Sequence, residues 1–429
     1  MVTRETSLED PGLLAGRLSS CFATRISKMP VSAIREILKV TERPEVISFA
    51  GGLPAPELFP VADLARAYQD VFANEGSAAL QYSTTEGWRP LREWLAARMR
   101  LRGIETAADR VLITTGSQQG IDLVGKVFLE RGDAVVVENP TYLAALQSFT
   151  GHEASFVAID SDDSGMRMDQ LEDALKHCRP KLIYIVAEFS NPKGTTLSPP
   201  RRLKLIELSS RYRVPILEDN PYGELRYAGE RPEPLAALDE NGSVIHISTF
   251  SKTLSPGMRL GWLTASEEVF QAVVIAKQAA DLHTSTIEQR AAARLLQRFD
   301  YDGHVRRLCD VYGERRRAML SAIERYFPSE AKWTRPEGGL FLWIELPEHV
   351  SAEDLFEDAI AERVAFVPGA SFFACQSKTN FMRLNFSNQK PEMIEEGIKR
   401  LADVLKRRIG AQAHVPPADK HARAPRRLK

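Results

Sequence analysis

Short apolar runs alternate with amphipathic segments through the middle of the chain. Val111-Leu-Ile-Thr-Thr115 runs into Gly116-Ser-Gln-Gln-Gly120, and the stretch from Ile121 to Glu130 carries apolar residues at Ile121, Val124 and Phe128. Spacings of three and four put those three on one helical face, so the unit reads as strand, turn and helix. Further apolar runs at Ala134 to Val137, Lys181 to Val186, Val214 to Leu217 and Val244 to Ile247 are separated by helical segments such as Leu203 to Tyr212. Strands that alternate with helices predict an α/β domain around a mostly parallel sheet.

The flanks differ from this middle. Arg35 to Val40 reads as the end of a short amphipathic helix, and Val46-Ile-Ser-Phe49 as a strand entering the tight loop Ala50-Gly-Gly-Leu-Pro54, with a helix expected next. Beyond Glu288 the chain turns helical and basic through Arg317. Strand-like runs follow at Leu340 to Leu346, Val364 to Val367 and Phe381 to Phe386, then a closing helix from Pro391 to Arg408. These predict a second, smaller α+β domain with the three runs in one sheet. The tail from Gln412 is Pro-rich and basic and is expected to be disordered, with an electrostatic tether as the functional alternative.

A chain of 429 residues exceeds what one hydrophobic core usually serves, which agrees with two domains. With 56 Lys+Arg against 57 Asp+Glu, the net charge of −1 supplies no field for phosphate backbones or anionic lipid. Neither nucleic acid nor a membrane is therefore expected as a partner. Cys21, Cys178, Cys309 and Cys375 lie far apart with no zinc-like spacing, so neither a disulfide framework nor a metal is indicated. Residues 1–12 have no apolar core of a leader and no later stretch is long and apolar enough to span a bilayer, and the expected location is the cytoplasm.

Four segments carry candidate chemistry. Ser248-Thr-Phe-Ser-Lys-Thr-Leu-Ser-Pro-Gly-Met-Arg259 follows a predicted strand. Thr249, Ser251, Ser255 and Arg259 offer donors for a phosphate there, and Lys252 offers an amine for imine formation, where a lone lysine would simply be solvated. Ser117 and Gln118 open a helix directly after a strand, so free backbone N–H groups can meet an anion, although Ser is also an ordinary N-cap. Glu218 and Asp219 end an apolar strand with Tyr222 close by, where ligands of parallel sheets sit, and a solvated acidic loop is the plainer alternative. Ser190-Asn-Pro-Lys-Gly194 is a turn with Asn191 at its centre. A lysine for the imine, an acid for a pyridine nitrogen, donors for a phenolate and a phosphate cup together are what pyridoxal 5'-phosphate needs.

On these residues the chain resembles the fold-type I, class I/II aminotransferases over roughly Arg25 to Lys406, and most resembles the 2-aminoadipate, kynurenine and aromatic aminotransferase group. The resemblance implies Lys252 as the Schiff-base lysine, Asp219 at the pyridine nitrogen, and Asn191 and Tyr222 at the phenolate oxygen. It implies Tyr142 stacked on the ring and Ser117, Gln118, Thr249, Ser251 and Arg259 around the phosphate, with Tyr82 reaching in from a neighbouring subunit. Arg383 would grip the substrate α-carboxylate, with Gly52, Asn191 and Arg25 on the substrate side; a planar guanidinium suits a carboxylate through two parallel hydrogen bonds. A homodimer with shared active sites is implied too. So is a layout of arm (1–24), joining segment (25–55), large cofactor-binding domain (56–300), small domain (301–410) and tail (411–429).

Two departures from the family pattern stand out. Ala187-Glu-Phe-Ser-Asn-Pro-Lys-Gly194 replaces the usual Pro-x-Phe-Gln-Asn-Pro-Thr-Gly, keeping Asn191, and the Arg25 to Pro30 segment differs in spacing. The expected activity is transfer of an amino group from an L-amino acid to a 2-oxo acid such as 2-oxoglutarate. The alternatives are a pyridoxal-phosphate enzyme of replacement, addition or carbon–carbon chemistry, and a ligand-sensing regulator behind a DNA-binding helix pair. The two dozen residues before the matching region are too few for such a pair.

Overall fold

The computed structural model describes residues 18–29, 37, 43–375 and 378–412. The expected helix end at Arg35 to Val40, apart from Ile37, lies outside these residues, as do 1–17 and 413–429. Fourteen strands are present among the described residues, and eight form the main sheet: β2 (Val111–Thr114), β3 (Ala134–Asn139), β4 (Ser155–Asp162), β5 (Gly165–Met166), β6 (Leu182–Ile185), β7 (Ile216–Asp219), β8 (Val244–Thr249) and β9 (Gly261–Thr264). Their order is β2-β9-β8-β7-β6-β3-β4-β5. The neighbours from β8 through β4 pair in parallel, while β9 runs antiparallel to both β2 and β8.

Both faces of this sheet are covered, which is why its strands read as unbroken apolar runs. On β6, Leu182 and Tyr184 pack toward helix Ser117–Phe128 and its Ile121 and Val124, while Ile183 and Ile185 pack against Leu171, Leu205 and Leu208. The strands β4, β5 and β9 carry no signal in the pattern above. β4 lies toward the sheet margin with all but one of its residues half-buried or exposed, and β9 is four residues long. No helix of the described residues is long and apolar enough to cross a membrane.

A second, four-stranded sheet has the order β10 (Lys332–Trp333), β11 (Phe341–Glu345), β14 (Phe381–Asn385), β13 (Val367–Pro368), all antiparallel. Here one expectation is corrected. Val364 to Val367 is not a single strand of this sheet: Val364–Ala365 (β12) pairs in parallel with Ile47–Ser48 (β1), and only Val367–Pro368 joins β14. The chain switches partners at Phe366 because the N-terminal segment returns to claim the first pair. Ile47 N–H donates to the Arg363 carbonyl at 2.9 Å and Phe49 N–H to that of Ala365 at 2.8 Å. The closing helix runs from Pro391 to Gln412, so residues 411 and 412 belong to it and not to a disordered tail.

Candidate active site

The parallel strands deliver their carboxyl ends to one edge of the main sheet. Ser117 and Gln118 follow β2, Tyr142 follows β3, Asn191 follows β6, Asp219 ends β7 and Lys252 follows β8. With Gly52, Arg259, Phe341 and Arg383, they line one cavity of about 240 Å³. Residues scattered over more than 300 positions, from Gly52 to Arg383, meet at the carboxyl ends of strands that run the same way, the standard location of a ligand in an open α/β sheet.

Asp219 is buried at 1% exposure. Its Oδ2 accepts a hydrogen bond from Tyr184 Oη at 2.9 Å, while Oδ1 is buried with no partner. Burial pushes this carboxyl up to about 7, against the opposing pull of Tyr184, His246 and Lys252. Next to it Glu218 points the other way. Burial alone would raise it, yet the hydrogen bond to His246 Nδ1 at 2.8 Å and the backbone N–H groups of Leu235 and Ala236 hold it below the usual glutamate range. Both acids sit inside the sheet, so the solvated-loop alternative does not hold. An orphaned carboxylate oxygen aimed into a cavity wants a cationic N–H, and a protonated pyridine nitrogen fits.

Lys252 ends a short 3₁₀ turn, Phe250–Lys252, capped by Thr249, whose Oγ1 accepts from Ser251 N–H at 3.1 Å. Its Nζ donates to the Gly52 carbonyl at 2.9 Å. Burial first, then the nearby charges of Arg383 and Arg259, pulls its ammonium down to about 8.

The phosphate end is shaped by glycine. Gly116, at φ +75°, caps helix Ser117–Phe128, so the Ser117 hydroxyl is not used as the cap. A Cβ on Gly116 would lie 2.6 Å from Arg259 Nη2, and one on Gly261 would lie 2.6 Å from Ser117 N. The strand β9 therefore presses against a helix N-terminus whose first N–H groups stay free for an anion. Ser117, Thr249, Ser251 and Arg259 surround that point. Gln118 also lines the cavity, although its Nε2 donates to the Ala144 carbonyl at 3.0 Å. These groups fit a phosphate ester.

Arg383 is 1% exposed. Its Nη1 donates to Asn191 Oδ1 at 2.8 Å and its Nη2 to the Ala50 carbonyl at 2.7 Å, and Nε is buried without a partner. The guanidinium lies 4.2 Å from the centre of the Phe341 ring and 5.0 Å from that of Phe372. Burial lowers it to about 10. No carboxylate of the described residues forms an ion pair with it, so it is a desolvated cation with capacity for a ligand's carboxylate. Asn191 also hydrogen-bonds Tyr222, whose hydroxyl burial holds well above the ordinary tyrosine range. Burial, with Asp219 nearby, pushes Tyr142 up to about 12.

Three expected residues are not brought into this cavity: Ser255, whose Oγ instead accepts the Gly257 N–H at 3.3 Å, and Tyr82 and Arg25. Tyr82 is 78% exposed and stands edge-on to His283 with ring centres 5.8 Å apart. Arg25 is exposed on the short helix Thr24–Lys28, which packs on helix Leu143–Gly151, and it does not line the cavity. Lys193, at one departure from the family pattern, also points elsewhere: its Nζ donates to the Ser161 carbonyl at 2.7 Å. Tyr184 and Phe341 have no signal in the sequence reading, because each lies within an apolar run that looks like any buried strand.

The model of the family described as aminotransferase class I and II matches residues 44–401. An aromatic-amino-acid aminotransferase of Thermococcus litoralis is 46% identical over 391 residues, covering 90% of this chain and 94% of that protein. A 2-aminoadipate transaminase of Thermus thermophilus is 42% identical, covering 90% and 97%. Among solved structures, the α-aminoadipate aminotransferase LysN of Thermus thermophilus, complexed with N-(5'-phosphopyridoxyl)-L-leucine, superposes with a TM-score of 0.87 at 40% identity, covering 92% of this chain and 99% of that one.

Proposed function

Because the chain belongs to the aminotransferase class I and II family and is a pyridoxal-phosphate-dependent aminotransferase of fold type I acting on amino and oxo acids, we propose its substrates and the division of labour in its site. The donor is an L-amino acid with an aromatic, aliphatic or 2-aminoadipate-like side chain, and the acceptor is a 2-oxo acid such as 2-oxoglutarate. What carries this reading is one cavity that presents the Lys252 amine, the unpartnered Asp219 Oδ1 and the unpaired Arg383 guanidinium together.

Asp219 and the Ser117 helix terminus would hold the two ends of the cofactor, with Tyr142 against its ring and Asn191 and Tyr222 at its phenolate oxygen. Bound there, pyridoxal phosphate supplies an aldehyde for an amine and a ring that takes up electrons from the substrate Cα. Arg383 fixes the α-carboxylate and so aims the Cα–H bond. Lys252 Nζ accepts the α-proton as a free base and, once charged, returns a proton. An amine lowered to about 8 holds both forms near neutral pH, which suits a group that must take and give a proton in each half-reaction.

Tyr142, Val186 and Phe341 supply the cavity's apolar wall, and its cations Lys252, Arg259 and Arg383 all have work. An acidic donor therefore needs a cation from outside this lining, and Arg25 takes that role when its helix moves or the partner subunit contributes. The molecule works as a cytoplasmic homodimer with Tyr82 completing the neighbour's phosphate site. The large domain spans 56–300 and the small one 301–410. A screen of amino donors against 2-oxoglutarate, read as glutamate formed, tests the substrate assignment: aromatic, aliphatic and 2-aminoadipate donors give product, and silence across all of them overturns it. Arg25→Gln lowers kcat/KM for 2-aminoadipate about tenfold or more and leaves aromatic donors unchanged.

A further inference from the structure

Lys277, on helix Glu267–Asp281, is fully buried and has no part in the chemistry above. Its Nζ lies 2.9 Å from Gln119 Oε1, 2.8 and 3.0 Å from the two carboxylate oxygens of Asp281, and 3.0 Å from Thr284 Oγ1. Gln119 sits in the first turn of the helix that opens at Ser117. Its Nε2 donates to Asp281 Oδ2 at 2.7 Å, and its Oε1 accepts the Thr115 N–H at 2.8 Å. The residues on either side of Gly116-Ser117-Gln118 thus hang from one ion pair whose ammonium is buried and whose carboxylate reaches the surface. The same bonds run on through Thr284. Gln289 Nε2 donates to the Thr284 carbonyl at 2.8 Å and its Oε1 accepts Trp88 N–H at 2.6 Å, at the end of the Gln81 to Gly87 segment that carries Tyr82.

A buried ammonium is desolvated at a cost that a methionine of similar length avoids, so a role in packing alone does not call for lysine. Placement does. The backbone at Gly116 has no slack, since Arg259 lies in front of it and β9 beneath it, and small rotations of the first helical turn would turn its N–H groups off a ligand. We propose that Lys277 and Asp281 are positioning residues of the phosphate site, holding Thr115 and Gln119 from behind so that the N–H groups of Ser117 and Gln118 and the Ser117 hydroxyl stay aimed at the phosphate. This rests on reading the Ser117 helix terminus as the phosphate site.

The test is titration of the full-length apoenzyme with pyridoxal 5'-phosphate and with pyridoxal, which lacks the phosphate, following tryptophan fluorescence. Wild type binds the phosphorylated form more tightly; equal affinities would overturn the phosphate site itself. Lys277→Met is expected to weaken pyridoxal 5'-phosphate about tenfold and to leave pyridoxal within about twofold. An equal loss for both ligands, or no loss, overturns the positioning role while leaving the phosphate site standing. If Lys277→Met does not fold, the double variant Lys277→Met, Asp281→Leu removes both charges together, and a thermal melt checks its fold. The same phosphate-selective loss in it supports the proposal, and full phosphate selectivity overturns it.

Discussion

At the level of single residues, the site works by burying charged groups beside partners that only partly satisfy them. Lys252 shows this most directly: burial and two guanidinium groups lower its amine to about 8 from an ordinary 10.5. A depressed lysine value means that the free base forms earlier as pH rises. In the apoenzyme, trinitrobenzenesulfonate labelling at Lys252 should therefore rise through a midpoint near 8, below the ordinary lysine value of 10.5. A midpoint near 10.5 would show the amine to be solvated. Tyr184 acts one step behind the site. Its hydrogen bond favours the charged form of Asp219, so Tyr184→Phe should raise the Asp219 value further above about 7 and weaken cofactor binding at neutral pH. Loss of one hydrogen bond to a charged group predicts about tenfold or more in affinity, shrinking as pH rises and Asp219 ionises without help. A calorimetric titration between pH 6 and 9 measures it.

At the level of elements, the decisive feature is the contact between β9 and the helix that begins at Ser117. Gly261 lets the strand lie against the backbone of Gly116 and Ser117, and a methyl group there would meet backbone atoms at 2.6 Å that cannot step aside as a side chain would. Gly261→Ala should consequently part the strand from the helix terminus. The expected outcome is a lower melting temperature, with a cost of about 1–3 kcal/mol, and a loss of cofactor affinity larger than that of pyridoxal. Parallel thermal melts and titrations separate the two effects. The N-terminal segment is a second such element. By pairing β1 with β12 it carries the carbonyls of Ala50 and Gly52 over the cavity to Arg383 and Lys252, linking the second sheet to the edge of the first.

At the level of the whole molecule, a Tyr82 exposed outside its own chain's cavity and an exposed Arg259 at the proposed phosphate site fit a working unit of two chains. A mixing experiment tests this. Lys252→Ala chains lack the base but keep Tyr82, and Tyr82→Ala chains keep the base but lack the neighbour's contact. Each homodimer should turn over at least about 10²-fold or several-fold more slowly than wild type, respectively. Mixed dimers should regain one complete site and rise above both parents, measured as glutamate formed after co-refolding and purification by two tags. Activity no higher than that of the Tyr82→Ala parent would place each site within one chain.

What the amino-acid sequence determined by itself was local. Apolar runs of four to six residues with helices between them specify strands of a parallel sheet, because a strand buried on both faces has no polar alternation to show. Contiguous clusters such as Thr249 to Arg259 singled out a lysine amine beside hydroxyl and guanidinium donors, since they lie within a dozen positions, and Thr249, Ser251, Lys252 and Arg259 do line one cavity. Tertiary structure alone decided the rest. Tyr184 reaches Asp219 across 35 positions and Lys277 reaches Gln119 across 158, and neither pairing leaves a periodic trace, because strand order and helix docking set which side chains meet. The same holds for Val364 to Val367, whose division between two sheets was settled by the return of residues 47–49 and by no feature of those four residues. Hydrophobic periodicity encodes which face is buried; it does not encode against what.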